Sequence, residues 1–241
     1  MSKVTEGVYF IEGRDDLVPD SHVYIIGKPE TNDLAMIDTG LVGKAAYKLN
    51  AFEQLGIDVT AIKRVIMTHT HIDHISCLHE LKEAIPEIEL WVHTSEADLL
   101  EKGDERAVYG MDIFKNMCQT QYNLKDGLFK SKVDRKLNDG DLLEIGGMSW
   151  EIIHIPGHSS GSIALYNKGI KALIPGDVVY ADYAIGRFDL FGADPVQHME
   201  SLNRLAELEV DILLPGHNRI MTEVPEGYIR DTAEQWGTYL T

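Results

Sequence analysis

Short apolar stretches with a two-residue period alternate along the chain with longer stretches of helical period, and turn residues separate them. GVYFIEG (7–13), SHVYIIG (21–27) and DLAMIDTG (33–40) read as strands bounded by residues that let the chain turn. Residues 43–55 read as a helix. AIKRVIMTH (61–69) is a buried strand, ISCLHELKEAI (75–85) is amphipathic at helical spacing, IELWVH (88–93) is another strand, and SEADLLEK (95–102) opens on an N-cap serine. The first half is therefore sheet layered with helix.

Residues 104–124 carry Tyr109, Met111, Ile113, Phe114, Met117, Cys118 and Tyr122 at helical spacing. This helical insert reads either as a helix packed on the core or as a cover over a binding pocket, because methionine and aromatic side chains make adaptable apolar walls. Strands return at LLEIGG (142–147), MSWEIIHIPG (148–157), GSIALYN (161–167) and IKALIPGD (170–177). A helix near 195–208, a strand at DILLPGH (211–217) and a final helix near 226–239 follow. The halves share an order of elements without repeating in sequence, and no low-complexity linker divides them. An α/β chain with a single domain over 1–241 is expected.

Composition narrows the function. Thirty-nine Asp and Glu stand against 22 Lys and Arg, a formal charge of −17, which repels nucleic acid and anionic membranes. No basic start followed by an apolar run opens the chain, no stretch is long and apolar enough for a membrane span, and Cys77 and Cys118 are the only cysteines. A cytoplasmic protein acting on a small molecule, with no nucleic-acid or membrane partner and with a homo-oligomer open, is the expectation.

The chemistry is concentrated in THTHIDH (68–74). His69, His71, Asp73 and His74 follow an apolar strand in the pattern H-x-H-x-D-H, and all four side-chain types favour a divalent metal. His158 in IPGHSS, Asp177 in IPGDVV and His217 in LPGHN each follow Pro-Gly at the end of an apolar strand. Such a turn carries the next side chain over the strand ends. Seven ligands exceed one tetrahedral zinc and suit two ions. The natural sharing is His69, His71 and His158 at one ion, Asp73, His74 and His217 at the other, and Asp177 between them. His22, His79, His93, His154 and His198 are scattered over strands and helices and read as structural, with His154 near enough to His158 to support it.

In this order of motifs the chain resembles the metallo-β-lactamase superfamily, from SHVYIIG and MIDTG through LPGH. The resemblance implies a four-layer αββα sandwich and a supporting role for Asp38 behind the metal loop. It points away from a true β-lactamase, since Asp177 stands where the zinc β-lactamases usually have cysteine, and toward glyoxalase II-like and lactonase-like members. GDVVYADYAIGRFDLFGAD (176–194), with its G-R-x-D-L, looks like the glyoxalase II stretch beyond the bridging aspartate. The residues after His217 are too few for that enzyme's glutathione-binding helical domain. Ile72, where the tRNA-processing nucleases usually have glycine, and the acidic surface both oppose RNA.

A binuclear hydrolase of a thioester or lactone is thus expected, with two divalent ions, zinc or alternatively iron or manganese. A water shared by such ions is acidic enough to act as hydroxide near neutral pH. Asp73 and Asp177 are the catalytic carboxylates, Asp73 carrying a proton to the leaving group and Asp177 bridging, while Tyr180 and Tyr183 are candidate donors to the developing oxyanion. The rival readings are a persulfide dioxygenase with one non-haem iron, from the same superfamily, and a metabolite sensor that has kept the site without catalysis.

Overall fold

The computed structural model describes residues 1–240. Strands β1 (Ser2–Thr5), β2 (Val8–Ile11), β3 (Val23–Ile26), β4 (Leu34–Ile37), β5 (Ile62–Ile66), β6 (Glu89–His93) and β7 (Arg135–Leu137) form a seven-stranded sheet in sequential order. Strands β8 (Leu142–Ile145), β9 (Met148–His154), β10 (Ile163–Asn167), β11 (Ala172–Gly176) and β12 (Ile212–Pro215) form a five-stranded sheet ordered β12-β11-β10-β9-β8. Helices α1 (Ala45–Gln54), α2 (Ile72–Ile75), α3 (Leu78–Ala84), α4 (Thr94–Lys102), α5 (Arg106–Tyr109) and α6 (Asp112–Tyr122) belong to the first half. Helices α7 (Pro195–Leu205) and α8 (Tyr228–Trp236) belong to the second.

Strand alternation explains the layers. In β3, Val23 and Ile25 join a core with the helices of the first half, while Tyr24 and Ile26 join Trp150, Ile152 and Leu165 of the other sheet. In β9–β11, Ile152 and Ile174 face that shared inter-sheet core, and Ile153 and Leu173 turn outward to pack with Leu202, Leu205, Ile229 and Ala233 of α7 and α8. The central strands β3, β4, β10 and β11 are buried on both faces and are therefore apolar almost throughout. Helix, sheet, sheet and helix stack as an αββα sandwich.

Strands β4, β5 and β6 run parallel, as do β11 and β12, and β9 shares the β11 direction through two antiparallel pairings with β10. Their carboxyl ends meet at one edge of the sandwich. The sheets are stitched there: Ile163 N–H donates to Thr68 O at 2.8 Å, His22 N–H to Gly216 O at 2.7 Å, and the Tyr24 hydroxyl to Pro215 O at 2.6 Å.

Several expected boundaries shift. The expected helix over 104–124 is two helices, because Gly110 breaks it at φ 76° and its carbonyl accepts from Phe191 N–H at 3.0 Å. A Cβ at Gly110 would come within 2.9 Å of Leu190, so glycine is required on two counts. Helix α4 starts at Thr94, one residue before the expected cap, with the His93 imidazole accepting from Ser95 N–H at 3.3 Å. The two outermost strands of the large sheet, β1 and β7, have no apolar run to announce them. Cys77 and Cys118 are both buried and unpaired, and among the described residues no helix is long and apolar enough to cross a membrane.

Candidate metal centre

The shared edge gathers all seven candidate ligands. His69 follows β5, His71 caps α2, and Asp73 and His74 lie within α2. His158, Asp177 and His217 follow β9, β11 and β12. They fall into two sets, His69–His71–His158 and Asp73–His74–Asp177–His217, and within each set the donor atoms lie within 4.8 Å of one another. Asp177 stands between the sets, with Oδ1 3.3 Å from His74 Nε2 and Oδ2 3.5 Å from His217 Nε2 and 3.8 Å from His158 Nε2. Gly216 makes this approach practicable, since any side chain there would collide with Asp177 Oδ1 and the His74 ring.

Hydrogen bonding fixes which nitrogen of each ring is free. Asp38, left-handed at φ 57°, accepts from Thr68 N–H at 2.7 Å, from the Thr68 hydroxyl at 2.7 Å and from His74 Nδ1 at 2.9 Å. The Thr68 hydroxyl, having donated to Asp38, accepts from His69 Nδ1 at 3.1 Å. His158 Nδ1 donates to Arg187 O at 2.6 Å. Nε2 of His69 and His158 is therefore the lone-pair nitrogen, Nε2 of His74 is the nitrogen left for a proton or a metal, and each points into the centre. His158 Nε2 lies 3.2 Å from His69 Nε2 and 2.9 Å from His71 Nδ1, so three ring nitrogens converge on one point. His74 Nε2 and Asp177 Oδ1 are likewise buried without a hydrogen-bond partner. Converging, unsatisfied buried donors of this kind fit divalent cations.

The two sets differ in charge. Burial, reinforced by neighbouring imidazoles, holds His69 well below the usual histidine range and His71 down to about 3, and burial also lowers His158. Those three rings are neutral. In the other set burial opposes charge, but Asp177, Asp38 and Asp73 outweigh it and raise His74 well above its usual value, and Asp177 and Asp73 raise His217. Asp73 and Asp177 stay ionised against the cost of burial because of these rings. The field that draws a proton to His74 equally draws a metal.

Above the donors lies a cavity of about 580 Å³. Val18, Ile72, Val108, Phe114, Ile185 and Leu190 form its apolar wall, and Tyr180, Arg187, Arg219, Glu12 and Asp15 its polar border. The segment 104–124 does cover the site, but through Val108, Tyr109 and Phe114. Met111 and Met117 are not in this wall, and Ile113 is 76% exposed. Tyr180 lines the cavity, its ring 6.2 Å from that of His217. Tyr183 lies outside the cavity and stacks on Tyr228 with ring centroids 4.7 Å apart, so the geometry gives it no contact with a bound oxyanion.

Supporting residues beyond those expected from sequence also emerge. Glu96 accepts from Thr70 N–H and from the Thr70 hydroxyl, both at 2.8 Å, and from Gly161 N–H at 3.1 Å. His22, read as structural, lines the cavity: Nδ1 accepts from Gly13 N–H at 3.0 Å, and Nε2 donates to Asn218 O beside His217. Asp20 and Lys48 form a wholly buried ion pair at 2.9 Å, and Asp20 also accepts from Leu41 N–H at 2.6 Å, anchoring the loop that precedes His22. A buried lysine on α1 is invisible to a search for metal ligands, since its partner lies 28 residues away in sequence. His93 and His154 stack at 3.9 Å away from the cavity, and His154 Nε2 contacts Ser160 O at 3.0 Å, two residues beyond His158.

Comparison with known proteins agrees with this geometry. The family profile described as "Metallo-beta-lactamase superfamily" matches residues 18–217. A hydroxyacylglutathione hydrolase of Crocosphaera subtropica is 29% identical over 206 residues, covering 83% of this chain, which spans 63% of that relative's length. A human acyl-coenzyme A thioesterase is 26% identical over 228 residues, covering 88% of this chain and 78% of its own. A protein solved in a di-iron-bound form superposes with a TM-score of 0.69 at 25% identity, covering 93% of this chain and 98% of its own. Layered fold, strand-end donors and a profile running from Val18 to His217 coincide, and the chain belongs to the metallo-beta-lactamase superfamily.

Proposed function

We propose that this chain is a hydrolase that holds two divalent ions and cleaves a small thioester or lactone. The observation that carries the reading is the division of seven donors into two sets with Asp177 between them, five of the seven, His71, Asp73, His158, Asp177 and His217, lining one apolar-walled cavity. Relatives named for hydroxyacylglutathione and acyl-coenzyme A hydrolysis support the ester-type substrate. A full second set of donors, including Asp73 and His217, favours this over a one-iron oxygenase, which has no chemical need of it. Zinc is the first choice of metal, with iron and manganese the alternatives.

Bound to these residues, the ions would supply an acidified water as nucleophile and a Lewis acid for the substrate carbonyl. Asp73, kept ionised by His74 and His217, can take a proton at Oδ2 and return it to the leaving group. Burial, and then Asp177, keep the Tyr180 hydroxyl protonated, so it is a donor for an oxygen that gains negative charge. Val108, Phe114 and Leu190 take up the hydrocarbon part of the substrate and exclude water beside the reacting bond.

Metal content of chain purified from its native host, followed by turnover of acyl thioesters, lactones and a persulfide, tests the reading. Two ions per chain with hydrolysis that Asp177→Ala removes is the expected result. One iron per chain with persulfide-dependent oxygen uptake would replace it with the dioxygenase reading.

A further inference from the structure

Glu96 is a carboxylate only 2% exposed, and among the described residues no cation pairs with it. It sits in the first turn of α4, where burial raises its pKa and the hydrogen bonds from Thr70 and Gly161 oppose that rise. Isolating such a group from water is costly unless every lone pair is engaged. Its two oxygens are engaged on opposite sides. Oε2 accepts both bonds from Thr70, the residue between His69 and His71, and Oε1 accepts from Gly161, three residues beyond His158. Gly161 has to be glycine for this, since a Cβ would lie 2.7 Å from Glu96 Cγ.

These two loops leave different sheets, and the His69–His71–His158 set is completed only where they meet. Its three donors are all imidazoles, whereas the other set contains Asp73 and Asp177. We infer that Glu96 is a positioning residue for the three-histidine set: it fixes the separation of the two loops that carry those rings. Asp38 performs a comparable task for His74 directly, and reaches His69 only through the Thr68 hydroxyl. The inference rests on the two-metal reading and adds that Glu96 acts on only one of the two affinities.

The test strips the full chain with a chelator. Zinc is then titrated against a chromophoric competitor, and cobalt is followed by its visible absorption. Wild-type chain is expected to take up two equivalents. Glu96→Gln preserves volume but turns an amide donor toward either Gly161 or Thr70. It is expected to keep one tight equivalent, with the other weakened about 10–100-fold, and to lose the cobalt bands of the three-nitrogen environment while keeping those of the mixed one. Thr70→Val removes a single bond to Glu96 and is expected to weaken the same equivalent by less, which keeps the inference testable if Glu96→Gln does not fold. Two unchanged affinities in both variants would overturn it. So would parallel weakening of both, the signature of a general loosening. Fewer than two equivalents in the wild-type chain overturns the two-metal reading itself, an outcome read before any variant is made.

Discussion

Three imidazoles of the centre have one nitrogen tied to the protein and one left over, and the tie differs from ring to ring: a threonine hydroxyl for His69, a carboxylate for His74, a carbonyl for His158. A carboxylate makes the stronger electrostatic partner, so Asp38 is where a conservative change should matter. Asp38→Asn must turn an amide N–H toward Thr68 or His74. It is expected to lower metal affinity about 10–100-fold at the set containing His74, read by chelator competition. His198 gives a separate prediction, about pH. It is fully buried, donates to Val178 O at 2.9 Å, and burial depresses it to about 4. The unfolded chain binds a proton there below about 6.5, which the native chain refuses until about 4. Stability is therefore lost as pH falls through that window. The metal-free chain should melt at progressively lower temperature from pH 6.5 to 4, and His198→Gln should flatten that slope.

Among the elements, those with apolar runs are legible from sequence and those defined by their neighbours are not. DLAMIDTG becomes β4 because its run Leu34–Ile37 is apolar throughout and wholly buried, and AIKRVIMTH becomes β5 on the apolar run Val65–Met67 at its end. β1 and β7 are missed because they are edge strands: SKVT and RKL are half exposed and gain their identity from pairing alone. The seven donors are legible because metal ligands cluster by residue type and by Pro-Gly turns. Glu96 is not, since one glutamate in the first turn of a helix carries no signal until the sheets are assembled. The α5–α6 break belongs with these. Gly110→Ala should cost about 1–3 kcal/mol in denaturant unfolding, from its left-handed backbone and the contact with Leu190. Phe114→Ala leaves the donors untouched, and for substrates with a long hydrocarbon portion it should raise KM several-fold with little change in kcat.

At the scale of the whole molecule, charge and assembly matter most. Glu12 and Asp15 border the cavity, Arg187 is engaged by Asp189 and Arg219 by Asp182, and the chain carries a formal −17. An anionic thioester is therefore repelled on approach. Its kcat/KM should rise with added salt, while that of a neutral lactone stays flat, in steady-state assays from low to about 0.15 M ionic strength. Because both ions would bind only the folded chain, chelation should lower the melting temperature, and adding metal back at about 100 times the Kd should restore about 2.7 kcal/mol for each site. The seam where Ile163 meets Thr68 and His22 meets Gly216 has a temporal consequence. A ribosome delivers THTHIDH long before His158, Asp177 and His217, so the emerging chain spends most of its synthesis with imidazoles that have no complete partner set. On the two-metal reading, metal capture would be a closing event of maturation, and a cell short of metal ions would accumulate a folded but empty protein that a late supply could still activate.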